Sequence, residues 1–159
     1  MKAVSIVLSV IAVLLLALIA FFFIGGTLRT QVEVSLVTAQ QASEAVEEAV
    51  EAFNQGHVLQ RFGDVSSVEA SECVLHTVRV TLSNPGMFAA EWLGFSVSPG
   101  EGDAAVFSDA VELLDIPANQ SAQLELEFLA RQDGSGKGRS IQISYYVLGM
   151  RRTVSASLE

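Results

Sequence analysis

Cys73-Val74-Leu75-His76-Thr77-Val78-Arg79-Val80-Thr81-Leu82-Ser83, closed by Asn84-Pro85-Gly86, is the clearest structural signal in the chain. Val74, His76, Val78, Val80 and Leu82 fall on one side and Leu75, Thr77, Arg79 and Thr81 on the other, the period of two that a strand produces and a helix does not. Pro85 has no N–H to give to a ladder and Gly86 tolerates turn dihedrals, so the strand stops there.

Working towards the C-terminus, the same signal recurs. Residues 87–98 continue an alternation through Phe95 and Val97, with Trp92 the bulkiest side chain. A polar loop at 99–103 leads to one or two short strands within 104–116, and Pro117-Ala118-Asn119-Gln120 turns the chain again. In 121–130, Ala122, Leu124, Leu126 and Phe128 oppose Gln123, Glu125 and Glu127. A glycine-rich, flexible loop at 132–138 is expected before a hairpin of 140–148 and 151–158, turning around Gly149-Met150. Upstream, 58–62 and 65–70 read as two more strands about a Gly63-Asp64 turn. Eight or so short strands without a βα repeat predict a β-sandwich or small barrel.

The runs Val78-Arg79-Val80-Thr81-Leu82-Ser83-Asn84-Pro85-Gly86, Leu113-Leu114-Asp115-Ile116-Pro117-Ala118-Asn119-Gln120-Ser121 and Leu124-Glu125-Leu126 resemble immunoglobulin-like modules of envelope proteins, broadly the LEA14-type domain class. The resemblance covers residues 65–158. It implies a sandwich used for adhesion, scaffolding or partner binding, and transfers no catalytic residue.

Upstream of the sheet the period changes. Across 38–53, Ala39, Ala42, Val46, Ala49, Val50 and Phe53 recur at helical spacing, with Glu44, Glu47, Glu48 and Glu51 mainly on other faces. Thr38 is a candidate N-cap and Asn54-Gln55-Gly56 a candidate stop. The stripe can close on the domain's own sheet or, through Ala42, Val46 and Ala49, pair with a neighbouring copy. Before it, Val32, Val34 and Leu36 alternate with Gln31, Glu33 and Ser35, as a short strand or a membrane-proximal stalk.

Residues 3–24 hold no charge and only Ser5 and Ser9 as polar side chains. A helix of that length rises far enough to cross the roughly 30 Å hydrocarbon layer of a bilayer. The aromatic ending Phe21-Phe22-Phe23 stands where a cleaved signal would place small residues, so an uncleaved signal-anchor is expected over a cleaved signal or a buried core helix. Lys2 against Arg29 gives a narrow charge margin, and a cytoplasmic N-terminus with an extracytoplasmic C-terminal domain is the expected orientation. The chain thus divides into an anchor at 1–26, a strand or stalk plus amphipathic helix at 27–56, and an immunoglobulin-like sandwich at 57–159. The expected fold class is mainly β, with one transmembrane and one amphipathic helix.

Charge and residue types narrow the function. With 18 acidic against 9 basic side chains the net charge is −9, which opposes nucleic-acid binding. Cys73 is the only cysteine, so no internal disulfide can form, and its place at the front of an apolar strand predicts a buried, inert thiol. His57, His76 and Cys73 are too few soft ligands for a hydrolytic zinc site, and no glycine-flanked nucleophile is present. Glu101 and Asp103 share a loop but lack the spaced ligand series of a calcium site. Arg139, Arg151 and Arg152, near Lys137, are the one concentration of positive charge, either balancing the domain's carboxylates or forming a patch for an acidic partner. The expectation is a non-catalytic, membrane-anchored envelope module, without cofactor or metal, that binds or spaces other proteins. Self-assembly through the acidic helix is the alternative, and a hydrolase of unknown substrate a more distant one.

Overall fold

The computed structural model describes residues 2–24, 27–36, 42–63, 66–108 and 115–158. The Thr38 cap, Ala39, the Asp64-Val65 step and the 109–114 part of the expected strand at 104–116 lie outside them. In chain order the elements are α1 (Lys2–Ile24), β1 (Arg29–Leu36), α2 (Ala42–Gln55), β2 (Gln60–Arg61), a 3-10 turn (Ala70–Glu72), β3 (Cys73–Asn84), β4 (Ala90–Ser98), β5 (Asp103–Phe107), β6 (Asp115–Ile116), β7 (Gln120–Arg131), β8 (Ser140–Val147) and β9 (Met150–Ser157).

The strands form two antiparallel sheets, β1-β3-β7-β5-β2 and β6-β4-β8-β9. The opening strand is the centre of the first. β3 and β7 pair from Cys73↔Arg131 to Asn84↔Gln120 without a slip, setting Val78 opposite Leu126 and Val80 opposite Leu124. Directly opposed residues share a face, so the two alternations combine into one apolar surface. That surface packs on Ile141, Ile143, Tyr145 and Val147 of β8 and on β4, making the sandwich core. At its edge the buried Leu28 N–H donates to Tyr145 Oη at 3.0 Å, tying the start of β1 to the second sheet.

The described residues of 27–56 are therefore not a stalk set apart from the sandwich. β1 pairs with β3 from Arg29↔Ser83 to Leu36↔His76, and α2 lies on the outer face of the first sheet. Val46, Ala49, Val50 and Phe53 of α2 pack on Cys73, Leu75, Leu129, Ala104 and Ala105. The helix stops where Gly56 adopts a φ of +86°, with Gly56 N–H bonded to Phe53 O at 3.1 Å and His57 N–H to Ala52 O at 2.8 Å. These two bonds make a Schellman cap, and the Arg61 guanidinium adds a hydrogen bond to Phe53 O from above the Phe53 ring.

Two expected strands shrink. The 58–62 segment keeps only the two residues of β2, paired to β5. In 65–70, Val68 bonds through both its N–H and its C=O to the Asn54 side chain, at 3.3 and 3.4 Å, so a helix side chain takes the groups a ladder would need. The C-terminal hairpin turns one residue earlier than expected, on Leu148-Gly149, with Val147 paired to Met150. Both turn residues have positive φ, +52° and +75°. Such a turn matches the twist of a two-residue hairpin, but a leucine there costs on the order of 1–2 kcal/mol that asparagine or glycine avoids.

Register fixes the two ends of the sandwich. Arg29 opposes Ser83, Asn84 opposes Gln120 and Glu91 opposes Tyr146, so the start of β1, the turns at 85–89 and 117–119 and the 148–149 hairpin lie at one end, the α1 side. Asn84 holds it together, its Nδ2 donating to Phe88 O, Ile116 O and Pro117 O at 2.8 to 3.2 Å. The loops at 99–102 and 132–139 lie at the far end, beside Cys73 and Arg131.

Helix α1 contains an 18-residue window, Val4–Phe21, of mean hydropathy 3.1, none of it buried by the rest of the chain. By length and composition it can cross a membrane.

Candidate interaction surfaces

Arg139 does not belong to a surface patch. Its side chain is 3% exposed and ion-paired to Asp103, which is 0% exposed. Nε donates to Asp103 Oδ1 and Oδ2 at 3.1 and 2.8 Å, Nη2 donates to Oδ1 at 2.5 Å, and Nη1 lies 3.0 Å from His76 Nδ1. The guanidinium also sits 4.7 Å from the centre of the Phe128 ring. Gly100 N–H completes the Asp103 carboxylate at 2.8 Å. Two charges removed from water are stable only with such a full set of partners. The pair joins residues 36 apart, and no local sequence pattern announces it.

The pair is locked in by the far-end loops, which are pinned to each other rather than free. Glu101 N–H bonds to Lys137 O, Gly136 N–H to Glu101 O and Arg131 N–H to Gly102 O, at 2.9 to 3.0 Å. A Cβ on Gly102, where φ is +86°, would stand 2.4 Å from Gly134 Cα, so the backbones meet only because both residues are glycine. Asp103 is thereby committed to Arg139, and Glu101 accepts from Ser135 Oγ at 2.8 Å. Among the described residues no group of three or more His, Cys, Asp or Glu side chains could hold a metal ion.

His76 is held below its ordinary value, first by burial and then by the Arg139 guanidinium, with Asp103 pulling the other way. Because Arg139 donates to it, Nδ1 is the acceptor and the neutral ring carries its proton on Nε2. The ring is thus engaged in the far-end cluster, while His57 is exposed just past the end of α2. The Cys73 thiol is buried under α2 and pushed up, chiefly by that burial, with Glu72 adding to it and Arg131 opposing.

The other expected binding residues separate. Arg151 and Arg152 open β9 opposite Tyr146 and Tyr145, so they point to opposite faces, Arg151 outward and Arg152 towards the sandwich interior. Both lie at the α1 side of the sandwich, away from Arg139 at the far end. Ala42 opens α2, whereas Val46 and Ala49 are buried on the sheet. The stripe expected as an association surface is therefore closed by Leu75 and Leu129. The remaining outer face of the first sheet is polar, with Arg79 bonded to Glu125 at 2.8 Å where both are about half exposed. A groove lined by Leu59, Gln60 and 93–97 runs along the side of the sandwich between β2 and β4.

No protein-family model matches the chain, and no curated protein matches it. Among solved structures, the GAE domain of yeast GGA1 is similar over 56% of this chain and 91% of that one, at 10% identity and a TM-score of 0.39, too distant to bear on function.

Proposed function

We propose that this chain is a single-pass membrane protein whose immunoglobulin-like domain lies outside the cytoplasm and binds or spaces other envelope proteins, without catalytic turnover. The observation that carries the reading is an apolar helix, none of it buried, joined within four residues to the first strand of a sandwich. A water-exposed face of that size would aggregate, whereas lipid would cover it. The strand orders support the immunoglobulin-like assignment: β1-β3-β7-β5 and β4-β8-β9 follow the A-B-E-D and C-F-G sheets of constant-type domains, with β2 and β6 as additions. Engagement of His76 with Arg139 and the burial of Cys73 favour a binding module over an enzyme.

Protease added to intact cells or spheroplasts carrying the full chain tests the topology. Cleavage within 27–159 from outside is expected. A domain digested only after the membrane is opened would place it in the cytoplasm and end this reading.

A further inference from the structure

We propose that the anchor-side end of the sandwich docks on the bilayer itself, seating Met87, Trp92, Leu148 and Met150 in the boundary between headgroups and acyl chains. The proposal rests on α1 being a membrane span.

Three observations carry it. The first is the tether. Only residues 25–28 separate α1 from β1, and Leu28 is already buried in the sandwich, so the end of the domain lies within about 14 Å of Ile24 even on a fully extended chain. The headgroup region on each side of the hydrocarbon is itself about 5–8 Å deep. The domain therefore has almost no room to stand off.

The second is where the exposed apolar side chains are. Beyond α1, the large exposed hydrophobic residues among those described are Leu59, Met87, Trp92, Tyr146, Leu148 and Met150. All but Leu59 belong to the anchor-side end: the turn after β3, the first residues of β4, and the β8–β9 hairpin. Trp92 is 78% exposed, Met87 65% and Leu148 53%. Trp92 and Leu148 are also held at positive φ, +55° at the β4 bulge and +52° in the hairpin turn, where a bulky residue is strained. Neither gains burial within the chain in return. Tryptophan and tyrosine at the interface, with apolar tips beside them, are the composition of a membrane-contacting rim.

The third is charge. Arg29 and Arg151 are exposed at this end and Arg152 is half-buried there; the acidic side chains described at the same end are Glu91 and Asp115, whose Oδ1 accepts from the Trp92 backbone N–H at 2.9 Å. The acidic face of α2 and Glu69, Glu72, Glu101 and Asp133 lie towards the far end, where Arg131 and Lys137 are their counterparts. Among the described residues, most of the negative charge thus lies away from α1, which suits a surface of phosphate-bearing headgroups.

Trp92 is the only tryptophan, so it reports on the contact directly. The full chain would be reconstituted in phosphatidylcholine vesicles containing phosphatidylglycerol, with and without acyl-chain bromination. Docking predicts that brominated lipid lowers Trp92 emission about twofold or more, as for an interfacial tryptophan. Leu148→Asn suits the hairpin turn, so it should leave the fold intact or more heat-stable while reducing that quenching, and Met87→Ser should reduce it further. A chain that floats with the vesicles and resists alkaline carbonate, yet shows no quenching by brominated lipid, would overturn the docking while leaving the anchor in place. A chain that carbonate strips from the vesicles would remove the anchor reading and the docking with it.

Discussion

Arg139 and Asp103 are two opposite charges enclosed with almost no solvent contact, and each is satisfied by the other, by His76 and by Gly100. Removing one partner strands the other in the core. Asp103→Ala should therefore destabilise the domain by about 3–5 kcal/mol, a fall of roughly 10 °C or more in the unfolding midpoint of a domain this size. Arg139→Met with Asp103→Leu should recover most of that loss, which thermal unfolding of the two variants compares directly. His76 gives this cluster a pH dependence of defined sign. Its folded value lies below 6.5, so the neutral ring is the folded form. Its contribution is fully present above about pH 6.5 and is lost as the pH falls from there through the lowered folded value. The unfolding midpoint should drop as the pH is lowered below about 6.5, and His76→Gln should flatten that part of the profile. A variant with the same slope would show that another group titrates there.

At the scale of elements, α2 is held by burial rather than by propensity: a stripe of alanine, valine and one phenylalanine covers one end of the outer sheet face. Phe53 is fully buried and also receives the Arg61 cap. Phe53→Ala should cost about 3–5 kcal/mol and loosen the helix from the sheet. Cys73 lies under that helix, so its reaction with a thiol reagent should accelerate by about tenfold or more as α2 opens locally. An unchanged rate would mean that α2 does not shield it. The same packing settles the use of two residues of the expected stripe: Val46 and Ala49, which could also have served as an association stripe, are covered by Leu75 and Leu129. Periodicity identifies the face that must be covered, but not what covers it.

For the whole molecule, the first strand after α1 is structural. A chain shortened to begin at residue 42 would lose β1, leaving β3 as an open edge from His76 to Ser83, together with the core residue Leu28. It should associate or precipitate, as sedimentation or size-exclusion chromatography would show, because an unpaired hydrophobic edge is a template for another chain. A monodisperse product would mean that 27–41 is dispensable. Only four residues separate α1 from the sheet, and β1 starts at the end of the sandwich that bears Trp92 and Leu148.

Much of this architecture was legible in the sequence. The period-two run at Cys73–Asn84 and its partner at Gln120–Arg131 specified both strands and their inner faces, because side chains on a strand alternate whatever their neighbours are. Gly56 marked the stop of α2, and the uncharged run at 3–24 specified a helix long enough for a bilayer, since both depend on local geometry alone. Only the tertiary structure decided the rest. It put β1 into the sheet rather than in a stalk, drew Arg139 from an apparent surface patch into a buried pair with Asp103, and gave Val68 to the Asn54 side chain instead of a ladder. Each of these depends on groups distant along the chain meeting in one place, and only the packing of the two sheets fixes which ones meet.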